Sequence, residues 1–267
     1  RKAFQHVAAY DTAVSRYLEN RDSGFHGELT LGYSKISDLR YGENPHQSAA
    51  LYVDPLMDGG IGNAQQLHGP DLGFNNILDA DAAWRIISDF DDQAVVVIKH
   101  NNPCGLAVHS DQETAYLRAL EGDSVSAYGG IVGFNRPVNV VTAQAMRGAF
   151  YEVVVAPFYE PEALALLRKR NKLRVLQVAS TGGQAGPEVR LISGGALFQT
   201  TDTIEEDPTA WKVVTERKPT EPELDNMAFA WKAAKHIKSN AIVLAKDSTM
   251  VGMGAGQPNR VASVHLA

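Results

Sequence analysis

Lys99 and His100 are the adjacent residues whose types are best suited to acid–base chemistry. They follow the apolar run 94–98, which is typical of a buried strand, and precede the turn-forming residues 101–103. Ligand sites in open α/β sheets lie beyond the carboxyl ends of strands, and the pair stands at such an end. Lysine supplies a fixed cation and histidine titrates near neutrality, so the two suit proton transfer with charge stabilisation. The alternative is a solvated strand end, because a single dipeptide is a weak signal.

A second cluster, residues 39–47, is dense in polar and turn-forming residues and reads Leu-Arg-Tyr-Gly-Glu-Asn-Pro-His-Gln. Arg40 offers a planar fork that suits phosphate, and Tyr41 offers a ring face and a hydroxyl group. The alternative is a well-capped surface turn in which His46 is a structural histidine.

Two glycine-containing segments are further candidates for ligand contact. The first, residues 126–131, reads Ser-Ala-Tyr-Gly-Gly-Ile. Gly129 lets the backbone approach a ligand closely, and Tyr128 offers a ring for stacking. The alternative is that the two glycines form a β-bulge. In the second, residues 252–260, glycines alternate after a strand. A dinucleotide fingerprint needs a different spacing, and Pro258 interrupts the helix it would open. A cluster of exposed amides beside Arg260 fits an anion site better.

The composition argues against several classes of function. A net charge of −6 over 267 residues leaves no basic footprint for nucleic acid, and no apolar run reaches the roughly 18–20 residues that span a membrane. The one cysteine, Cys104, forms no internal disulfide, which fits a reducing compartment and a cytoplasmic location. Zinc deaminases need a second cysteine after Pro-Cys, so we predict no metal site and interpret Cys104 as a small buried residue.

The elements that must position these residues alternate between strand and helix, which predicts an α/β layered sheet. Helices are predicted over residues 1–19 and 77–88. Three more are predicted: one that follows a capping box at Ser110–Glu113 and ends at Leu120, one that begins at Pro161, and one that follows a capping box at Thr220–Glu223. Strands are predicted at 49–53, 94–98, 130–134, 153–156, 173–178, 211–215, 241–245 and 250–253. The small, Gly-rich stretch 180–188 predicts a boundary between a subdomain of residues 1–188 and one of residues 189–267.

In this order, the motifs resemble the AICAR transformylase region of the PurH family of bifunctional purine-biosynthesis proteins. The resemblance covers essentially the whole chain. The segments that carry it are 1–4 (Arg-Lys-Ala-Phe), 9–11 (Ala-Tyr-Asp), 39–47, 99–105 (Lys-His-Asn-Asn-Pro-Cys-Gly), 126–130, 239–241 (Ser-Asn-Ala) and 254–260 (Gly-Ala-Gly-Gln-Pro-Asn-Arg).

The resemblance implies a reaction, a fold and partners. The family transfers a formyl group from its co-substrate 10-formyltetrahydrofolate to the 5-amino group of AICAR, giving FAICAR on the route to IMP, and requires no metal for this chemistry. A separate N-terminal domain acts as IMP cyclohydrolase. The fold consists of tandem cytidine-deaminase-like subdomains without zinc, and the protein works as a homodimer with active sites near the subunit interface.

By motif position, His100 matches the family's catalytic histidine and Lys99 its transition-state-stabilising lysine. The positions that match the AICAR contacts are Arg40, Tyr41, Tyr128, Gly129, Glu152, Asn240 and Arg260. Two departures are Tyr128, where many relatives carry Phe, and Glu152, where some carry Asp.

The ends of the sequence suggest an alternative to a working transferase. The chain begins without methionine and stops inside a plausible element, so we expect an internal piece of a longer chain whose second subdomain is truncated. The family continues past residue 267 with a segment that contributes to the nucleotide and folate sites. A catalytically incomplete nucleotide-binding or dimerisation fragment is therefore the second hypothesis.

Overall fold

The computed structural model describes residues 1–18, 24–179, 187–204 and 207–267. Most of the predicted boundary stretch, residues 180–186, lies outside this part of the chain. The helices are α1 Lys2–Leu18, α2 Phe74–Ser88, α3 Gln112–Gly122, α4 Val140–Ala145, α5 Pro161–Leu167, α6 Glu221–Lys235 and α7 Arg260–Leu266. The strands are β1 Ser34–Leu39, β2 Ala49–Val53, β3 Gln65–His68, β4 Ala94–Lys99, β5 Asn102–Val108, β6 Gly130–Phe134, β7 Tyr151–Ala156, β8 Arg174–Gln177, β9 Pro187–Ile192, β10 Gly195–Thr200, β11 Ile242–Lys246 and β12 Thr249–Gly254.

A mixed sheet of eight strands forms the centre of the fold, in the order β11-β12-β5-β4-β6-β7-β8-β3. Strands β6, β7 and β8 are parallel, and every other neighbouring pair is antiparallel. Two antiparallel hairpins, β1–β2 and β9–β10, form separate two-stranded sheets. This arrangement confirms the predicted α/β class.

Helices cover both faces of the central sheet because the buried residues of its strands alternate between two cores. On β4, Val95 and Val97 pack with α3, α4 and α5, whereas Val96 and Ile98 pack with α2 and α6. All four side chains are fully buried. The continuous apolar run that predicted β4 is the pattern expected of a strand covered on both faces.

Capping residues explain where two of the helices begin. The capping box predicted for α6 is confirmed: Thr220 is the N-cap, and the Glu223 carboxylate accepts from its backbone N–H at 2.8 Å. The box predicted before α3 is wrong, because Asp111 is the N-cap and its side chain accepts from Thr114 N at 2.8 Å. Asp and Ser are comparable N-caps, so the sequence alone does not separate adjacent candidates.

The predicted elements are confirmed with two kinds of exception. The structure adds the strands β1, β3, β5, β9 and β10 and the helices α4 and α7, and it has no strand at 211–215. That segment is an extended edge of a cleft of about 660 Å³ beside α6 and β11, and the Trp211 ring packs against Trp231 with centroids 5.9 Å apart. Trp211 therefore packs on helix α6, whereas Val214 of the same segment is exposed.

The predicted second subdomain contributes strands to the central sheet. The β11–β12 hairpin joins β5 through the pair Thr249–Ala107, and Phe229 and Ala233 of α6 are buried in the core that contains α2. The division at residue 188 stays a prediction. No helix in the described ranges is long and apolar enough to cross a membrane.

Candidate active site

The topology brings the predicted site residues to one end of the central sheet. Lys99 ends β4, and because β4 is antiparallel to β6 and β6 parallel to β7, the starts of β6 and β7 lie beside it. β12 is antiparallel to β5, so its last residue, Gly254, points to the same end. The expectation that the site lies beyond the carboxyl ends of strands therefore holds for β4. It is wrong for the parallel strands β6 and β7, whose amino ends lie here. Strand direction follows from long-range pairing, which the local pattern around Lys99 does not contain.

A tight reversal between β4 and β5 carries Lys99 and His100, the predicted acid–base pair. His100 and Asn101 have φ values of 51° and 61°, and the flanking residues Lys99 and Asn102 pair with each other. Positive φ at both central residues is the pattern of a type I′ hairpin turn, whose twist matches that of the strands. The His100 side chain is exposed to solvent at the tip of this turn.

The Lys99 ammonium group is held by backbone carbonyls of the next loop. Its Nζ donates to the carbonyl oxygens of Tyr128 at 3.0 Å and Gly129 at 3.2 Å. An ammonium has three donors, so one remains for a ligand. The lysine side chain is thus held in one direction next to the histidine, and its role in the chemistry stays a prediction.

The loop before β6 takes its shape from two glycines. Gly129 has φ +68°, and Gly130 lies so close to β4 that a Cβ there would be 2.7 Å from the carbonyl oxygen of Ile98. The β6–β7 register is irregular here, since Gly130 pairs with Tyr151 and Ile131 with Val153, and the β-bulge interpretation of the glycines stays a prediction. The Tyr128 ring packs on Phe150 at 5.2 Å between centroids and remains 70% exposed, so one part of it is free for stacking.

Glu152 is held in place by an asparagine that was not predicted from the sequence. Asn76 Oδ1 accepts from Gly73 N at 3.1 Å, and this bond directs its Nδ2 to Glu152 Oε2 at 2.7 Å. The Glu152 carboxylate, near the start of β7, is therefore oriented by the first turn of α2.

Asp79 is a second residue that was not predicted, one helical turn further along α2. Its Oδ1 accepts from the backbone N–H of Asn101 at 2.7 Å. Burial raises the pKa of the Asp79 carboxyl above its ordinary value, while the Asn101 N–H and the charge of His100 act in the opposite direction. The available signal was the i, i+3 spacing of Asn76 and Asp79 in a helix whose following residues are apolar.

The 39–47 cluster forms a closed turn beside the same helix. Gly42 N donates to Gln47 O at 2.8 Å, and Asn75 of α2 donates to the carbonyl oxygen of Glu43 at 3.3 Å. The Arg40 guanidinium lies 5.8 Å from the centroid of the Tyr41 ring. Residues 39–47 therefore form a turn, as the surface-turn interpretation predicted. This turn adjoins α2, the helix that also contacts Glu152 and the His100 turn.

Asn240 and Arg260 lie in a separate group around α7. Asn240 Nδ2 donates to Gln257 O, and the backbone carbonyl oxygen of Asn240 accepts from Ser263 Oγ, both at 2.8 Å. Arg260 is exposed as the first residue of α7. A Cβ on Gly254 would lie 2.0 Å from the carbonyl oxygen of Ser263, so α7 packs directly on β12. The alternating glycines therefore permit this packing, and the assignment of Arg260 to an anion site stays a prediction.

Cys104 is a partly buried thiol behind the turn. Its Sγ donates to Val97 O at 3.4 Å, and burial raises its pKa to about 12. A thiol with such a pKa is a poor nucleophile and a poor metal ligand at neutral pH. Within the described ranges no three His, Cys, Asp or Glu side chains are grouped to hold a metal ion.

The fold and this geometry define an α/β protein in which Lys99 and His100 lie side by side at one end of the central sheet. The chain belongs to the AICARFT/IMPCHase bienzyme family, whose model matches residues 1–267. It is 50% identical over 295 aligned residues to the bifunctional purine biosynthesis protein purH of Dictyostelium discoideum, covering 99% of this chain and 54% of that protein.

Bacterial proteins of the same name are similar over the same extent. The bifunctional purine biosynthesis protein PurH of Listeria monocytogenes (strain HCC23) is 45% identical over 268 residues, which cover 100% of this chain and 53% of the relative. That of Thermoanaerobacter (strain X514) is 46% identical over 261 residues, covering 97% and 51%. The chain thus spans about half the length of the curated relatives it matches.

Proposed function

We propose that this chain carries the AICAR formyltransferase site of a bifunctional purine-biosynthesis protein, with 10-formyltetrahydrofolate as the formyl donor. The observation that carries the proposal is the fixed Lys99 ammonium beside His100 on a type I′ turn, in a chain that matches the family model throughout. The parent protein would also close FAICAR to IMP in a separate N-terminal domain, as its bifunctional relatives suggest.

The chemistry requires both members of the pair. The 5-amino group of AICAR is a weak nucleophile, because its lone pair is delocalised into a ring that bears a carboxamide. Attack forms a bond from this nitrogen to the formyl carbon and places negative charge on the formyl oxygen. His100 takes the proton from the amine, while the remaining donor of Lys99 stabilises the oxyanion. Collapse breaks the carbon bond to N10 of the folate, which leaves with a proton.

The nucleotide would lie at this end of the sheet, between the residues near the His100 turn and the residues around α7. We assign Arg40, Tyr41, Tyr128, Gly129 and Glu152 to its contacts, because the 39–47 turn and Glu152 both bond to α2 and Gly129 bonds to Lys99. Asn240 and Arg260 would reach it from the side of β12, with Arg260 toward the phosphate. The guanidinium fork and the exposed Tyr128 ring suit an anionic, aromatic ligand.

The finer fold assignment rests on the layering. A central sheet with helices on both faces supports tandem cytidine-deaminase-like subdomains without zinc, and the high pKa of the Cys104 thiol supports chemistry without a thiolate ligand.

We place the enzyme in the cytoplasm, where its purine-pathway relatives would have their substrates.

A homodimer is supported by helix α1, whose apolar side chains lack partners among the described residues. Phe4 is 82% exposed and Tyr17 87% exposed, and Val7, Tyr10 and Val14 are exposed along the same helix. Arg16 of this helix pairs with the carboxylate of Asp54, just after β2, at 2.5 Å. An ordered helix with an uncovered apolar stripe is typical of an interface, and we propose a second copy of the chain as the partner.

The second candidate is a catalytically incomplete fragment. The apolar residues Trp231, Leu244, Val261 and Val264 are all exposed around α6, β11 and α7, and the cleft beside α6 is open. This surface is consistent with a second subdomain whose remaining part supplies the folate side of the site.

Calorimetry with AICAR, followed by an assay with 10-formyltetrahydrofolate, separates these functions. Arg40→Ala tests the nucleotide site, with Arg190→Ala on the β9–β10 hairpin as a control that also removes one exposed arginine. Binding that Arg40→Ala weakens about tenfold or more, together with turnover, would support a complete site. Binding without turnover would favour the incomplete fragment. Equal affinity in wild type and Arg40→Ala would contradict the assigned contact.

A further inference from the structure

The turn that carries His100 requires an external support. Both of its central residues lie in the left-handed region, at φ 51° for His100 and 61° for Asn101. Glycine is the residue that adopts this conformation without strain, and neither position is glycine. Asparagine tolerates it better than histidine does, so the backbone of His100 is the less favourable of the two. A contact that stabilises the reversal therefore decides where the imidazole lies.

Asp79 supplies such a contact from a different element. Its Oδ1 accepts from the backbone N–H of Asn101, the second central residue of the turn, at 2.7 Å. Lys99 and His100 carry the titratable side chains that act on this carboxyl group. A carboxylate is a strong acceptor for this N–H, because hydrogen bonds to an ionised group are stronger than neutral ones.

The helix that carries Asp79 is a rigid base. Ala80 and Ala83 are completely buried against the sheet, and a Cβ on Gly133 of β6 would lie 3.1 Å from the Cβ of Ala83. Asn76, one turn earlier, binds Glu152 at 2.7 Å. One close-packed helix therefore reaches both the His100 turn and the carboxylate on β7, which fixes their relative position.

We propose that Asp79 is a positioning residue: its carboxylate holds the His100–Asn101 turn so that the imidazole of His100 faces the amine of the bound nucleotide. The catalytic consequence rests on the proposed formyltransferase function, whereas the hold on the turn does not. Asp79 touches the backbone of the turn and takes no part in the proton transfer itself.

Loss of this support should affect turnover more than nucleotide binding. The turn would sample other conformations, and the fraction of complexes with His100 in line would fall. A misplacement of about 1 Å can cost on the order of 100-fold in rate, so we expect kcat to fall roughly 10- to 100-fold in Asp79→Ala. The KM for AICAR should change less than about threefold, because the assigned binding residues remain in place.

The test compares Asp79→Ala, Asp79→Asn and the control Asp81→Ala in the chain. Asp81 lies on the same helix and pairs with Arg85 at 3.0 Å, away from the turn. Asp79→Asn keeps an oxygen acceptor without the charge, so it should retain more kcat than Asp79→Ala. The second readout is hydrogen exchange of the Asn101 amide by NMR, which reports the hydrogen bond without any substrate.

The expected result is fast exchange of the Asn101 amide and a reduced kcat in Asp79→Ala, with both quantities near wild type in Asp81→Ala. A kcat within twofold of wild type in Asp79→Ala, or an unchanged exchange rate, would overturn the proposal. If the wild-type chain transfers no formyl group, the proposed function fails and the amide exchange alone decides whether Asp79 holds the turn.

Discussion

The Lys99 ammonium nitrogen lies 3.2 Å from the carbonyl oxygen of Gly129, and a Cβ on Gly129 would lie 3.3 Å from that nitrogen. The lysine side chain thus occupies the space that any larger residue at 129 would need. This contact joins the end of β4 to the loop before β6, and it fixes the direction of the cation on which the proposed chemistry depends.

Gly129→Ala should reduce both stability and formyl transfer. The residue has φ +68°, which costs an alanine about 1–3 kcal/mol, and the new methyl group would displace the Lys99 ammonium. Urea denaturation and an activity assay measure the two effects. Gly148→Ala is the control, since nothing lies within 4 Å of a Cβ there. Full activity in a folded Gly129→Ala protein would show that the position of the Lys99 cation is unimportant.

Gly105→Ala should be among the most damaging single substitutions in the chain. A Cβ at 105 would lie 1.6 Å from the carbonyl oxygen of Ala119, so α3 and β5 would have to separate. We expect a loss of about 4 kcal/mol or more in the free energy of unfolding, or no folded protein. Gly195→Ala, where a Cβ meets nothing within 4 Å, should be nearly neutral. A normal urea midpoint for Gly105→Ala would contradict the packing of α3 on β5.

The central strands were predictable because their signal is local. Apolar runs identified β4, β6, β7 and β8, since strands buried on both faces read as continuous hydrophobic segments. Strand β5 was missed because Pro103 and Gly105 are poor strand formers by composition. The need for glycine at 105 arises from the backbone of α3, which comes later in the chain and crosses β5 in space.

The candidate site likewise combines residues that the sequence identifies with residues that only the folded structure reveals. Lys99, His100 and Tyr128 stand in distinctive motifs, so their residue types alone identify them as candidates. Asn76 and Asp79 were missed because polar residues at the start of a helix are ordinary, and only the pairing of β4, β6 and β7 brings that helix to the turn. The direction of the parallel strands is also set by this long-range pairing.

The Asp89–His236 contact should make stability depend on acid pH. Burial of the Asp89 carboxyl favours its neutral form, but hydrogen bonds from His236 at 2.7 Å and Lys235 at 2.9 Å outweigh it and lower the pKa below the ordinary 3.8. A depressed pKa gives stability that is present above the unfolded value and lost as pH falls through the folded value.

Asp89→Asn should therefore cost about 1 kcal/mol at neutral pH, after allowance for solvent screening of this partly exposed group. The cost should disappear below the folded pKa of Asp89. Urea denaturation of both proteins between pH 7 and strongly acid pH checks this, with Asp38→Asn on β1 as the control. A cost that stays constant as the pH is lowered would show that the Asp89 charge does not hold α6 on α2.

Tyr10→Asp should weaken the proposed homodimer. Tyr10 is 64% exposed on the apolar stripe of α1, and a carboxylate there would be desolvated in an interface. Sedimentation equilibrium should show the wild-type chain as a dimer and Tyr10→Asp shifted toward the monomer. Leu191→Asp, at a side chain 83% exposed on β9, should leave the dimer intact. A monomeric wild type, or equal dimerisation in Tyr10→Asp, would remove α1 from the interface.

Formyl transfer by wild type and His100→Ala tests the central claim most directly. Both chains are supplied with AICAR and 10-formyltetrahydrofolate, with His109→Ala as a control histidine at the far end of β5 and circular dichroism as a check of folding. We expect FAICAR from wild type and from His109→Ala, and a rate at least about 100-fold lower from His100→Ala. A folded His100→Ala chain that forms FAICAR at the wild-type rate would contradict the account, because the proton would then have another acceptor.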